Sequence, residues 1–196
     1  MNQDEKDEKE LWEKVSQERG EEKVDALIKL SYRAYNKGNN EECLALCETA
    51  REEYEAIGAE ASLSTLAHIY HGIAVSQDRL KNPQAAISAL HKCTELYKEA
   101  GSSEFINSLK FEGDLWYFMR EYQNAYDVYQ KILNDGGPSL TDGNLAFAYD
   151  SCGQAAAKLK NWALALENFM KARDVYKRLK NPAYVAHIDE EISLCH

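Results

Sequence analysis

The chain has 196 residues, 44% of them apolar and 10% aromatic, which is enough to build a core and too much for a disordered chain. With 10 glycines and 3 prolines it cannot be collagen-like or a Pro/Gly-rich low-complexity chain, and tight turns must be few. A net charge of −10 without a basic stripe argues against nucleic acid and anionic membrane as partners. The acid is concentrated at the start, where residues 1–60 carry 17 Asp/Glu against 9 Lys/Arg. No segment approaches the ~18 apolar residues of a membrane span. The charged start lacks the apolar stretch of a secretory signal. The five cysteines are odd in number and do not space like a disulfide scaffold, so reduced thiols and a cytoplasmic location are expected.

Residues 1–23 read as an acidic helix with a weak apolar face at Leu11, Trp12 and Val15 and a frayed start over the first ten residues. Beyond it, four stretches align. They are Gly38–Cys43, Lys81–Ala86, Arg120–Ala125 and Lys160–Ala165, each a polar turn running into a small residue. The small residues Cys43, Ala86, Ala125 and Ala165 are spaced by 43, 39 and 40 positions. Four residues after each comes Cys47, Leu90, Tyr129 or Phe169, and three further on Ala50, Cys93, Ile132 or Ala172. These offsets mark one helix face. Twelve residues before each small residue comes Ser31, Ala74, Gly113 or Gly153. Each unit therefore reads as two antiparallel helices in close approach, over about 24–63, 64–103, 104–143 and 144–180. Asn134–Ser139 is the strongest breaker and should cut the second helix of the third unit short. Residues 181–196, with Tyr184, Val185, Ile188, Ile192 and Cys195 three or four apart after Pro182, predict one amphipathic capping helix. Cys195-His196 reads as a frayed tail.

On these residues the chain resembles the tetratricopeptide repeat family, in a long-helix variant of about 40 residues per unit. The fourth unit matches best, with Gly153, Trp162, Ala165, Phe169 and Ala172. The first departs most, with Asn40 in the usual ring position and cysteines at 43 and 47, while the second has Pro83 in the ring slot. The implied fold is all-α, a right-handed α-solenoid of four helical hairpins capped by a helix at each end. The resemblance also implies a concave groove lined by the first helix of each hairpin. The positions that map there are Tyr32 and Tyr35; His68, His71 and Arg79; Asn107, Lys110, Asp114 and Tyr117; and Phe147, Asp150, Gln154 and Lys158. Phe118 falls on the same face. Rings are over-represented at binding hot spots, and Asn, Gln and His can bond an extended backbone. The Lys/Asn pair with which chaperone-binding repeats hold a terminal carboxylate is missing, Lys110 with Asp114 being the nearest combination.

Catalytic signatures are lacking. There is no Gly-rich phosphate loop and no Gly-x-Ser-x-Gly elbow. Cys43 with Cys47 and His68 with His71 have spacings that could ligate a metal, but the cysteines fall on core positions, where a thiol behaves as a small hydrophobe. No metal, cofactor or catalysis is expected. The chain reads as a non-catalytic adaptor that holds a protein or extended peptide. The competing readings are a homodimer formed through the C-terminal helix or the outer face and, less favoured, a small metal-binding or thiol-dependent enzyme.

Overall fold

A computed structural model describes residues 3–58 and 62–195. Met1, Asn2 and His196, which the sequence assigns to the chain ends, lie outside the described residues. Regular structure among the described residues is helical throughout: α1 (Gln3–Gln17), α2 (Glu21–Asn36), α3 (Asn40–Ile57), α4 (Leu63–Arg79), α5 (Pro83–Glu99), α6 (Phe105–Phe118), α7 (Tyr122–Asp135), α8 (Asp142–Lys158), α9 (Trp162–Arg178) and α10 (Pro182–Ser193). The helices form four hairpins, α2–α3, α4–α5, α6–α7 and α8–α9, with α1 and α10 as flanking helices. They fall into two compact units, Met1–Phe105 and Ile106–His196.

The hairpin turns share one device. The second residue after the first helix has its φ in the left-handed region: Gly38 at 80°, Lys81 at 66°, Arg120 at 64° and Lys160 at 61°. There the chain makes paired reversed bonds. Asn161 N–H donates to Ala156 C=O and Lys160 N–H to Ala157 C=O, both at 2.9 Å, and the other three turns repeat the pattern. Lys180, at 53°, closes α9 onto α10 in the same way. Only Gly38 adopts this conformation without a Cβ penalty. Pro83 and Pro182 occupy the first turn of α5 and α10, where no N–H is needed.

Small residues let the paired helices touch. Ala86, Ala125 and Ala165 are fully buried. Gly113 faces the Tyr129 ring and Gly153 the Phe169 ring so closely that a Cβ would stand 2.3 and 2.6 Å from ring carbons. In the second unit α10 closes the core. Ile188 joins Phe169, Ala172, Val175 and Tyr176, with Val185, Ile192 and Cys195 packed alongside.

The breaker acts as expected on length: α7 has 14 residues against 18, 17 and 17 for α3, α5 and α9. A short 3-10 turn over Gly137–Ser139 follows, and the Thr141 hydroxyl caps α8 by accepting from Asn144 N–H at 3.2 Å. Residues 3–10, expected to fray, are helical. Arg33 on α2 reaches Asp4, Asp7 and Glu8, and Lys37 pairs with Glu8, tying α1 to α2.

Candidate functional site

In the first unit the inner faces of α2 and α4 enclose a cleft of about 180 Å³. Tyr32, Tyr35 and Ile28 line one wall, His68, His71 and Val75 the other, and Cys43 and Cys47 are among the residues beneath. Helix phase places these residues together, since 28, 32 and 35 and likewise 68, 71 and 75 are three or four apart. The Tyr32 hydroxyl and His68 Nε2 share a hydrogen bond of 2.9 Å, with ring centroids 5.6 Å apart. Arg79 donates to the Tyr35 hydroxyl at 3.0 Å and lies over its ring at 5.4 Å, at the rim. Burial holds His68 and His71 below the ordinary imidazole value, so both are neutral at neutral pH. Cys47 hydrogen-bonds Cys43 and favours its thiolate; the Cys47 thiol is itself pushed far up by that bond and by burial. Gly72 lets α4 pack closely on Cys47, because a Cβ there would meet Cys47 Sγ at 2.7 Å. The result is a largely apolar cleft with hydrogen-bonding rings on its walls and the Cys43 thiol among its lining.

In the second unit a larger cleft of about 890 Å³ is lined by α6, α7, α8, α9 and α10. From α6 come Lys110, Asp114 and Tyr117, and from α8 Phe147, Asp150 and Gln154. Lys110 donates to Asn144 Oδ1 at 2.6 Å and lies 4.9 Å from the Phe147 ring centre. Phe147 meets Tyr129 edge-on at 5.9 Å. The Tyr129 hydroxyl donates to Asp114 Oδ1 at 2.7 Å, and Gln154 donates to Asp150 Oδ1 at 2.8 Å. Burial pushes the Asp114 and Asp150 carboxyls up and the Lys110 ammonium down, so all three charges are poorly hydrated. Tyr176 and Tyr184 stack at 4.8 Å.

Three of the sequence-derived positions stand apart from these linings. Arg79 reaches the first cleft only through Tyr35. Asn107 on α6 and Lys158 at the end of α8 are exposed and line neither cleft. Phe118 closes α6 at 80% exposure, on the lip of the second cleft. Residues that first-helix counting misses are Tyr129, Tyr176, Tyr184 and His187, which enter the second cleft from α7, α9 and α10. The only cue to Tyr184 and His187 was their place on a predicted cap. Among the described residues no group of three His, Cys, Asp or Glu side chains is arranged to hold a metal. No described helix is long and apolar enough to cross a membrane.

No family model and no curated protein sequence matches the chain. Several solved structures do. An aspartyl phosphate phosphatase F from Bacillus subtilis aligns with a TM-score of 0.76 at 19% identity, over 94% of this chain and 48% of its own. A signal transduction ATPase with a tetratricopeptide repeat sensor from Pyrococcus horikoshii aligns with a TM-score of 0.78 at 18% identity, over 95% of this chain and 29% of its own. MamA aligns with a TM-score of 0.67 at 18% identity, over 88% of each chain. The chain thus spans about half the length of the phosphatase and under a third of the ATPase. With repeated hairpins, glycine-on-ring packing at Gly113 and Gly153 and these alignments together, the fold is of the tetratricopeptide-repeat type.

Proposed function

We propose that the chain is a non-catalytic scaffold that binds a protein segment, in extended form, in the clefts lined by the first helices of its hairpins. The four repeats over about 24–63, 64–103, 104–143 and 144–180 supply those helices. The observation that carries this reading is the lining itself. Tyr32, Tyr35, His68 and His71 border one concave surface, and Lys110, Asp114, Tyr117, Phe147, Asp150 and Gln154 border the other. A merely solvated face would carry Lys and Glu; these surfaces carry rings and amides, the groups that anchor side chains and bond a backbone. The bound segment is taken to be extended and ~8–12 residues long, at ~3.3 Å per residue. None of the chain's five cysteines forms a disulfide, which suits a cytoplasmic scaffold.

The test starts from an oriented octapeptide library presented to the full chain. The best-bound peptide is then titrated calorimetrically into variants. Tyr35→Ala, Tyr117→Ala or Phe147→Ala should weaken it by roughly thirtyfold where the altered ring lies under the peptide, about 2 kcal/mol for one lost aromatic anchor. Glu95→Lys and Glu167→Lys, exposed on α5 and α9, should leave affinity near wild type. If the outer-face changes abolish binding and the cleft changes do not, the reading is wrong.

A further inference from the structure

The second-unit cleft holds a carboxylate that the fold itself does not explain. Asp150 is only 8% exposed. Its donors are Gln154 Nε2 at 2.8 Å and the Tyr176 hydroxyl. The charges facing it come from α10, where His187 favours its ionised form and Glu191 opposes it. Among the described residues no lysine or arginine forms an ion pair with Asp150, and Lys110, the cation of this cleft, is engaged by Asn144 and Phe147. A purely structural acceptor at this place would be better served by asparagine, which accepts from Gln154 without burying a charge.

The walls point the same way. Tyr176 and Tyr184 stack on one another, and both line the same cleft as Asp150 together with Tyr117 from α6. A desolvated carboxylate among tyrosine faces is the chemistry of a cation receptor: the acid supplies a charge-assisted bond and the rings supply cation–π contact. A planar guanidinium satisfies both requirements better than a compact ammonium.

We infer that the second-unit cleft receives a cationic side chain of the bound segment, arginine before lysine, with Asp150 as its charge partner and Tyr117, Tyr176 and Tyr184 as its walls. This inference rests on the peptide-binding reading and names what one cleft selects.

The experiment uses the full chain and a positional octapeptide library in which each position in turn is arginine, lysine, citrulline, glutamate or leucine. Citrulline keeps the shape of arginine and removes its charge. The expected result is one position at which arginine binds about tenfold better than citrulline, the worth of one charge-assisted contact. Asp150→Asn should abolish that preference while keeping wild-type helicity and a melting midpoint no lower than wild type. Glu167→Gln, an equal loss of acid on the outer face, should leave the preference intact and so separates the site from the general acidity of the chain. Should Asp150→Asn fail to fold, Tyr184→Leu, which removes an exposed wall of the site, must reduce the preference, and added salt must reduce it in the wild-type chain. Peptides that bind with arginine and citrulline equal at every position overturn this inference and leave the scaffold reading standing. A library from which nothing binds overturns both.

Discussion

Replacing Gly153 with alanine tests how the fourth hairpin is held. An ideal Cβ at Gly153 would stand 2.6 Å from Cδ1 and Cε1 of Phe169, and Phe169 is 0% exposed. Carbon atoms in contact prefer ~3.5–4.0 Å, so the ring or the helices must separate by about 1 Å. The ring has nowhere to turn, because Ala146, Ala156, Ala172 and Ile188 share its core. Overpacking of this kind costs about 1–3 kcal/mol, against which alanine regains up to about 1 kcal/mol of helix propensity. Taking the middle of each range, about 2 kcal/mol less about 0.5–1, the net loss is about 1–1.5 kcal/mol, or ~2–6 °C in the melting midpoint of a chain this long. Gly143, near the start of α8, supplies the control, since its Cβ would meet nothing closer than Thr141 Oγ1 at 3.8 Å. Gly143→Ala should therefore be neutral or stabilising, by up to about 1 kcal/mol. Urea unfolding of both variants, followed by far-ultraviolet circular dichroism, reads the sign of each change. A Gly153→Ala chain as stable as wild type would refute the packing of α8 on α9 described here.

Other consequences can be checked in the same way. Lys160 sits at a φ of 61°, so Lys160→Gly should stabilise the chain by about 0.5–1 kcal/mol in urea unfolding; a loss of stability would mean the turn is not left-handed. Burial raises the folded-state value of Asp150, so the folded chain holds that proton more tightly than the unfolded chain. Ionised Asp150 thus destabilises the fold at neutral pH, and the penalty lifts as pH falls through the raised value toward the ordinary carboxylate range. Asp150→Asn should gain stability at neutral pH and lose that gain on acidification, and a gain independent of pH would exclude burial as the cause. A small uncharged thiol reagent, followed by mass spectrometry, should modify half-buried Cys195 first and then Cys43, which lines the first cleft and whose thiolate the Cys47 hydrogen bond favours. Cys93 and Cys152, both 0% exposed, should react only on unfolding, and early labelling of either would contradict the packing of α5 or α8.

The hairpins were legible in the amino-acid sequence because what makes them is local. Helix phase, a small residue at Cys43, Ala86, Ala125 and Ala165, and a ring or apolar residue four positions on recur within each unit of about forty. The same phase, read through the family resemblance, put Tyr32, Tyr35, His68 and His71 on facing walls, since which way a first-helix side chain points depends only on its register. The turns were half legible. Gly38 announces a left-handed residue, whereas Lys81, Arg120, Lys160 and Lys180 adopt the same conformation with no preference of their own, held there by the helices on either side. Pairing of Arg33 with Asp4, which anchors residues expected to fray, spans 29 positions and has no local signature. Depth was decided by tertiary structure alone. Asp150 is a groove position by register, but burial among residues distant in sequence, Tyr176 of α9 and His187 of α10 with it in the cleft lining, makes it a desolvated carboxylate. Cys43 and Cys47 are core positions by register, but the packing of α4 on α2 and α3, with Gly72 against Cys47, places them in the lining of a cleft. Periodicity sets the face on which a residue lies, and only the packing of distant neighbours sets how much water remains there, and so which charges and thiols a ligand would meet.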